Sequence, residues 1–420
     1  MGKDNAEEFE QVFINNDDII QGFQVQEKLD EGNYGQVFIV SKNGKKYAMK
    51  VEPKRLSKDV PALKTEIDII MRLDDTNAKF FPKIVHSGVE ANFHLMVMDL
   101  LGENLKKLRL KSSDPTTCSV GTWSRVGIQC LYVIKQMHDN GYTHNDIKPA
   151  NFAMGPSEDV LNSRVLHLFD FGISRSFVRN RKGVFVGQTP THRDLLFRLP
   201  KKKVRHLKGT PVYTSPNAHA MVDLGRRDDI WSLLYMIAEL VEPLPWSALE
   251  GHELEKVKLK CPLKLLFNDE ALDEVEKMLR DCDFYAFPNY EMVYTTFKKF
   301  LDSSQCSWLD PYDWETRTMP SYIRWKQNAE KRTTLFPWEC SEVVNYFRND
   351  PFKDLQEDAM IREERKRRDR KKQLEPSDNI ATTPETTAND DVPATSNSTA
   401  KSKRKRKGIR SKKTKQRREK

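Results

Sequence analysis

The hydrophobic positions along this 420-residue chain change period more than once. Between residues 20 and 51 they alternate: Phe23 and Val25, then Val37 to Val40, then Tyr47 to Val51. Alternation places successive side chains on opposite faces of a sheet, so these runs predict strands. Asn43-Gly44 separates the last two runs, and that dipeptide is a strong signal for a tight hairpin. From residue 60 to 73 the spacing becomes helical, with Leu63, Ile67, Ile70 and Met71 on one face. Strand-like runs return around 81–87 and 94–98. After Gly102 the pattern is mostly helical. Residues 123–139 predict an amphipathic helix that Asn140-Gly141 caps. Residues 228–240 are apolar nearly all round, which predicts a helix through the core of a second lobe. No internal repeat is visible. A small strand-rich lobe followed by a larger helical one is the expectation.

Composition changes the picture mainly at the C-terminal end. The chain is 38% hydrophobic and 10% aromatic, enough for a sizeable core, yet no aromatic residue follows Phe352. A stretch without aromatics buries too little surface to offset chain entropy, so residues 353–420 are expected to be a disordered tail. The net charge of +9 also belongs to that tail: residues 401–420 hold thirteen Lys/Arg and one Glu, and the other 400 carry 57 basic and 60 acidic side chains. Its runs Lys403-Arg404-Lys405-Arg406-Lys407 and Lys412-Lys413 suit an import receptor, or a patch for nucleic acid, acidic lipid or acidic protein tails, or a solubilising role. Nucleic acid is disfavoured as the chain's main partner, because no aromatic-studded basic groove or recognition module accompanies the runs. The six cysteines are scattered without a CxxC pair, which reads as free thiols in a reducing compartment. The start MGKDNAEEFE has no apolar h-region, and Ala at position six argues against myristoylation. The longest apolar stretch, Ile230–Val241, is too short to span a bilayer. A cytoplasmic and/or nuclear protein without a membrane span, and a monomer, is expected.

Candidate chemistry lies near the junction of the two lobes. In Asp30-Glu31-Gly32-Asn33-Tyr34-Gly35-Gln36-Val37, Gly32 and Gly35 sit in a strand turn, where a backbone can approach phosphates closely. Lys50 ends the next strand, and Glu66 lies on the predicted helix, a spacing that lets a carboxylate hold a phosphate-clamping Lys. The most specific signal is His144-x-Asp146-x-Lys148-x-x-Asn151, followed by Asp170-Phe171-Gly172. Phosphoryl transfer needs a carboxylate to orient the attacking hydroxyl and take its proton, and Asp146 supplies one. It needs a cation on the transferred phosphate, for which Lys148 serves. It needs oxygen ligands for magnesium, and Asn151 and Asp170 provide them. Lys148, two residues after Asp146, points to Ser or Thr as the acceptor.

These residues resemble the signature set of the eukaryotic protein kinases. The stretch His144–Gly155 is more narrowly similar to the casein kinase 1 group, and its Ala-Met-Gly ending to the tau-tubulin kinase branch. Ser215-Pro216-Asn217, Arg226-Arg227-Asp228-Asp229 with Ile230-Trp231-Ser232-Leu233, Leu244-Pro245-Trp246 and Asp310-Pro311-Tyr312-Asp313-Trp314 extend the resemblance over residues 20–316. It implies an α+β, two-lobed protein kinase fold, with an N-lobe at 20–99 and a C-lobe at 100–316. Residues 1–19 are then an N-terminal extension, and 317–352 a C-terminal extension packed on or next to the kinase domain. The resemblance also implies ATP and Mg2+ as cofactors. ATP would meet the loop residues Gly32, Asn33, Tyr34, Gly35 and Val37. Met98 would be the gatekeeper, Asp99-Leu100-Leu101 the hinge offering backbone hydrogen bonds to adenine, and Ala48 and Ala153 would lie above and below the base. Asp229 would brace the catalytic loop, and Thr210 would be the hydroxyl that supports Asp146 and Lys148.

Four positions depart from the family pattern. Asp30 replaces a loop glycine and Glu31 follows it, so two carboxylates are expected to repel the triphosphate. Asn145 replaces an Arg that grips an activation-loop phosphate, so phosphorylation-driven ordering is not expected. Val212 falls where the group has an Arg for pre-phosphorylated substrate, which puts primed recognition in doubt. Leu234 replaces a glycine on the core helix, a packing change. From Arg175 to Lys208 the chain carries eleven Lys/Arg against Asp194. That segment is either a solvated loop or an electrostatic platform for acidic protein substrates. The expected function is a protein serine/threonine kinase acting on protein substrates with acidic flanks. A pseudokinase scaffold is the alternative.

Overall fold

The small lobe is organised by the Asn43-Gly44 turn. Both residues adopt left-handed backbone angles, φ 53° and 76°, as a two-residue hairpin turn requires. The turn joins two strands of an antiparallel six-stranded sheet in the computed structural model, which describes residues 12–32, 35–54, 61–180, 195–201 and 203–355. The sheet comprises β1 (Ile19–Ile20), β2 (Phe23–Gly32), β3 (Gly35–Lys42), β4 (Lys45–Pro53), β5 (Ile84–Val89) and β6 (Phe93–Asp99), in the order β1-β2-β3-β4-β6-β5. The alternating positions Phe23, Val25, Phe38, Val40, Met49 and Val51 fill one core, against which Val12 and Ile14 also pack.

Between β4 and β5 runs α1 (Ala62–Asp75), packed on β4, β5 and β6. Its buried stripe is Leu63, Glu66, Ile69, Ile70 and Leu73. Met71, expected on that stripe, is instead 55% exposed. One helical position is a rotation of about 100°, and a buried carboxylate occupies the place that a hydrophobic count would leave to another residue. Pro61 offers the helix no side-chain cap. Glu52 of β4 does so from outside, accepting from Ala62 N at 3.1 Å and Leu63 N at 2.5 Å. Two of the orphan donors of α1 are thus met by a negative charge, which the helix dipole also favours.

The large lobe begins with α2 (Leu105–Arg109) and α3 (Val120–Asp139). Three short strand pairs follow: β7 (Tyr142–Thr143) with β10 (Arg175–Ser176), β8 (Phe152–Met154) with β9 (Leu166–Leu168), and β11 (Val178–Asn180) with β12 (Leu195–Phe197). Helices α4 (Pro216–His219), α5 (Arg226–Val241), α6 (Gly251–Lys260), α7 (Leu263–Phe267), α8 (Ala271–Asp281) and α9 (Tyr290–Ser303) complete the lobe. The α5 helix runs through the core as its apolar pattern predicts. The α3 helix differs from its amphipathic expectation, since it is buried on nearly every face between α5 and α9. Its polar side chains are buried because they are paired. Gln129 Nε2 donates to Tyr312 OH at 2.7 Å, and Arg125 Nη1 to Asp310 O at 2.7 Å.

One hydrophobic cluster joins the lobes, carrying Leu63, Ile70 and Met98 on one side and Leu105, Phe152 and Phe171 on the other. Beyond residue 316, α10 (Pro320–Ala329) and α11 (Val343–Arg348) add Trp325 and Phe347 to the same cluster. The two-lobed α+β architecture is the expected one. Among the described residues no helix is long and apolar enough to cross a membrane.

Candidate active site

Lys50 sits in β4 opposite Met96 of β6, which carries its side chain toward α1. Its Nζ lies 2.7 Å from Glu66 Oε2 and 2.7 Å from Asp170 Oδ1. The other Glu66 oxygen accepts from Phe171 N at 3.3 Å. Burial opposes the Lys50 charge, but Glu66 and Asp170 together outweigh it and hold the Lys50 pKa above its ordinary value. Burial raises Glu66 even though Lys50 pulls the other way. Burial also pushes Asp170 up, and there Lys50 prevails, so that carboxyl stays below its usual range.

The segment that carries Asp146 hangs from Asp229, near the start of α5. Its Oδ2 accepts from His144 N at 2.7 Å and its Oδ1 from Asn145 N at 2.8 Å. His138 Nε2 lies 2.8 Å from Asp229 Oδ2, and Tyr290 OH lies 2.7 Å from His138 Nδ1. Burial lowers the His138 pKa, which favours the neutral ring. With a carboxylate at Nε2, the proton sits there and Nδ1 accepts from Tyr290. His138 and Tyr290 gave no signal in the sequence.

Both oxygens of Asp146 are engaged. Thr210 donates its N–H and its hydroxyl to Oδ1, each at 2.8 Å, and Lys148 Nζ lies 2.6 Å from Oδ2. Thr210 can approach because Gly209, at φ 83°, passes close under the loop, where a Cβ would stand 2.5 Å from Asn145 O. Asn145 and Asp170 both hold φ 68°, in the left-handed region that Asn and Asp enter more readily than other non-glycine residues. Asn151 gives its Nδ2 to Asp146 O at 2.9 Å. The side-chain oxygens beside these contacts are Asn151 Oδ1 and Asp170 Oδ2. These are hard oxygen donors, and one carboxylate plus one carboxamide suits magnesium, which takes its remaining ligands from phosphate and water. The described residues contain no cluster of three His, Cys, Asp or Glu that could cage a metal alone.

The residues expected to face a nucleotide lie between β2, β3, β4 and the segment joining the lobes. Gly35 must be glycine, because its φ is 135° and a Cβ would stand 1.9 Å from Val51 O. A Cβ on Gly32 would meet nothing within 4 Å. Val37 pairs with Lys50 and Ala48 with Met98. Ala153 is buried in β8, tied to the joining segment by Gly102 N donating to Met154 O at 2.8 Å. Asn33 and Tyr34 lie outside the described residues. Asp99 gives its N–H to Lys83 O at 3.0 Å, so a backbone hydrogen bond from Asp99 to a base would come from its carbonyl rather than its amide. Glu31 is held by Lys28 at 2.6 Å and Gln36 at 3.2 Å, with Lys28 chiefly lowering its pKa. One of the two carboxylates beside the loop therefore carries its own counter-charge.

The basic segment is partly neutralised from an unexpected direction. Asp223 Oδ2 accepts from Arg198 Nη1 at 2.5 Å and from Lys201 N at 2.8 Å, and Arg175 Nη1 lies 3.4 Å from Oδ1. Burial, with Arg175 nearby, pushes Lys208 down to about 8. Arg181, Lys182, Arg193, Asp194 and Lys202 lie outside the described residues. At Val212 the side chain offers no charge, and its carbonyl accepts from Trp246 Nε1 at 2.9 Å.

The family described as "Protein kinase domain" matches residues 23–314. The chain is 35% identical over 300 residues to the Caenorhabditis elegans protein named "Putative serine/threonine-protein kinase K06H7.1", covering 70% of this chain and 82% of that one. It is 32% identical over 310 residues to "Putative casein kinase I C03C10.2" of the same organism, covering 70% and 83%. A third C. elegans relative, "Inactive tau-tubulin kinase ttbk-6", is 31% identical over 246 residues, covering 57% and 81%.

Proposed function

The chain belongs to the protein kinase family, and from that membership we propose that it is an active serine/threonine kinase of the casein kinase 1 group, nearest the tau-tubulin kinase branch. We set its catalytic domain at residues 20–316. The observation that carries the proposal is the Asp146 carboxylate, held by Thr210 on one oxygen and Lys148 on the other.

In the proposed reaction a Ser or Thr hydroxyl of a protein substrate gives its proton to Asp146 as its oxygen attacks the γ-phosphorus. The bond to the β–γ bridging oxygen breaks, and ADP leaves with that electron pair. Thr210 holds Asp146 toward the hydroxyl, and Lys148 places a cation beside the transferring oxygens. Lys50, fixed by Glu66, holds the α- and β-phosphates. Gly32, Gly35 and Val37 cover the phosphates, while Ala48, Ala153, Met98 and Leu101 surround the base. Magnesium bound by Asp170 and Asn151 would screen the negative charge that otherwise repels the attacking oxygen.

A preference for acidic flanks is proposed from the cations between Arg198 and Lys208, with Arg198 already partly spent on Asp223. The test is transfer to casein and to a peptide array that varies only flanking charge. Equal rates on acidic and neutral flanks would remove the preference. The basic run at 401–420 lies outside the described residues. We assign it an import receptor or another acidic partner, and deletion of it should shift the chain's distribution between nucleus and cytoplasm.

A binding scaffold without turnover is the second reading. It is favoured by the relative named inactive and by Asp30 in place of a loop glycine. Against it stand Lys50, Asp146, Asn151 and Asp170 in one site. Nucleotide binding without transfer by the wild-type chain would select it.

A further inference from the structure

The family match ends at residue 314, yet the chain returns after α11 to the segment that follows Asp170. Phe352 lies 5.3 Å from Phe177, the two rings nearly perpendicular at 83°. Phe177, Val178, Leu195 and Phe197 gather around Phe352 and Phe284 in a hydrophobic cluster separate from the two main cores. Ring pairs of this geometry add to the stabilisation from burial alone.

A buried cation underlies the same place. Arg226, the first residue of α5, is 2% exposed, and its guanidinium carbon lies 4.9 Å from the Phe177 ring. Its Nη1 is 3.2 Å from Asp350 Oδ1 and its Nη2 donates to Tyr285 O at 2.8 Å. A buried guanidinium needs a carboxylate, and residue 350 supplies it. Lys135 of α3, also buried, donates to Asn349 O at 3.0 Å.

The seat of Phe177 is tied by backbone links to the strand that leads to Asp146. Phe177 N donates to Gly141 O at 2.9 Å, and Arg198 N donates to Phe177 O at 3.0 Å. Ser176 pairs with Tyr142 and Arg175 with Thr143 in the β7–β10 ladder. Thr143 directly precedes His144, and Asp146 follows two residues later.

We propose that Phe352 and Asp350 are positioning residues for phosphoryl transfer. They seat Phe177 and Arg226 so that the β7–β10 ladder holds the Asp146 loop in register. The proposal rests on Asp146 as the proton acceptor. It makes the segment 343–355 part of the working enzyme, although it lies outside the family match.

The test uses the full-length chain with Phe352→Ala, Phe352→Leu and Asp350→Asn. The readouts are kcat, KM for ATP, folded fraction at the assay temperature, and amide exchange at residues 141–146. Phe352→Ala and Asp350→Asn should each lower kcat about tenfold or more, as small displacements of a catalytic group do. KM for ATP should stay within about twofold, because the nucleotide contacts are untouched. Exchange at 141–146 should quicken, and Phe352→Leu should restore most of kcat. An unchanged kcat overturns the proposal. So does a loss of kcat that merely follows the folded fraction while exchange at 141–146 is unaltered. If the wild type transfers no phosphate, the kinase reading fails by itself, and the exchange comparison still decides the coupling.

Discussion

Thr210 meets a single oxygen of Asp146 twice, through its N–H and through its hydroxyl, each at 2.8 Å. Only the hydroxyl contact depends on the side chain. Thr210→Ala should therefore leave Asp146 with one donor on that oxygen and lower kcat, and Thr210→Ser should not. A lost hydrogen bond to a charged group is worth about 1.5–3 kcal/mol, or roughly tenfold to a hundredfold in rate. Steady-state kinetics of both variants decide it. A Thr210→Ala enzyme with wild-type kcat would show that the hydroxyl does not matter.

Lys50 compensates two carboxylates at once, and Glu66 beside it is 1% exposed. Lys50→Met leaves that buried charge unmatched, which costs about 3–5 kcal/mol in comparable pairs. The variant should melt well below the wild type and lose transfer. Glu66→Gln keeps a hydrogen-bonding group beside Lys50 and should be milder in stability while still lowering kcat. Thermal unfolding with and without ATP compares the two. Equal melting of Lys50→Met and wild type would contradict the account of the pair.

Glu52 caps α1 from β4, so the position of Glu66 depends on a residue in another element. Glu52→Ala should cost about 1–2 kcal/mol, the usual loss for an N-cap with a favourable charge. It should also speed exchange of the Ala62 and Leu63 amides. Unaltered protection of those two amides would mean that the cap is dispensable.

Lys258 is buried with its Nζ 2.8 Å from Pro211 O, next to Thr210 in the chain. Burial pushes its pKa down to about 6, against an ordinary 10.5. Between those values the unfolded chain binds the extra proton, so this group's contribution to stability rises with pH and is lost as pH falls toward 6. Lys258→Met removes that contribution. The melting temperature of the wild type should therefore gain more between pH 6 and pH 8 than that of the variant. Identical gains would show that Lys258 does not titrate as described.

Legibility in the sequence followed the range of each interaction. Asp146, Lys148 and Asn151 lie within one short motif, and the turn at Asn43-Gly44 is a local signal. Lys50 and Glu66 were readable because a strand and a helix with regular periods set their spacing. Glu52, His138, Tyr290 and Asp223 were not readable. Each acts through a partner on another element, as His138 does on Asp229, and periodicity carries no information about such pairing. The same limit explains α3, whose buried Arg125 and Gln129 look like a solvent face until their partners are known. Charge in sequence likewise does not reveal a buried counter-ion such as Asp223, which faces Arg198 of the basic segment.

The most direct test of the kinase assignment is transfer of labelled γ-phosphate to casein and to an acidic peptide, with magnesium, by the wild type and by Asp146→Asn. ATP binding is measured on both proteins in parallel. The wild type should label Ser and Thr. Asp146→Asn should bind ATP comparably and lose transfer by at least about a hundredfold, the range expected for a missing general base. Labelling that survives the substitution, or a wild type that binds ATP and transfers nothing, would contradict the assignment.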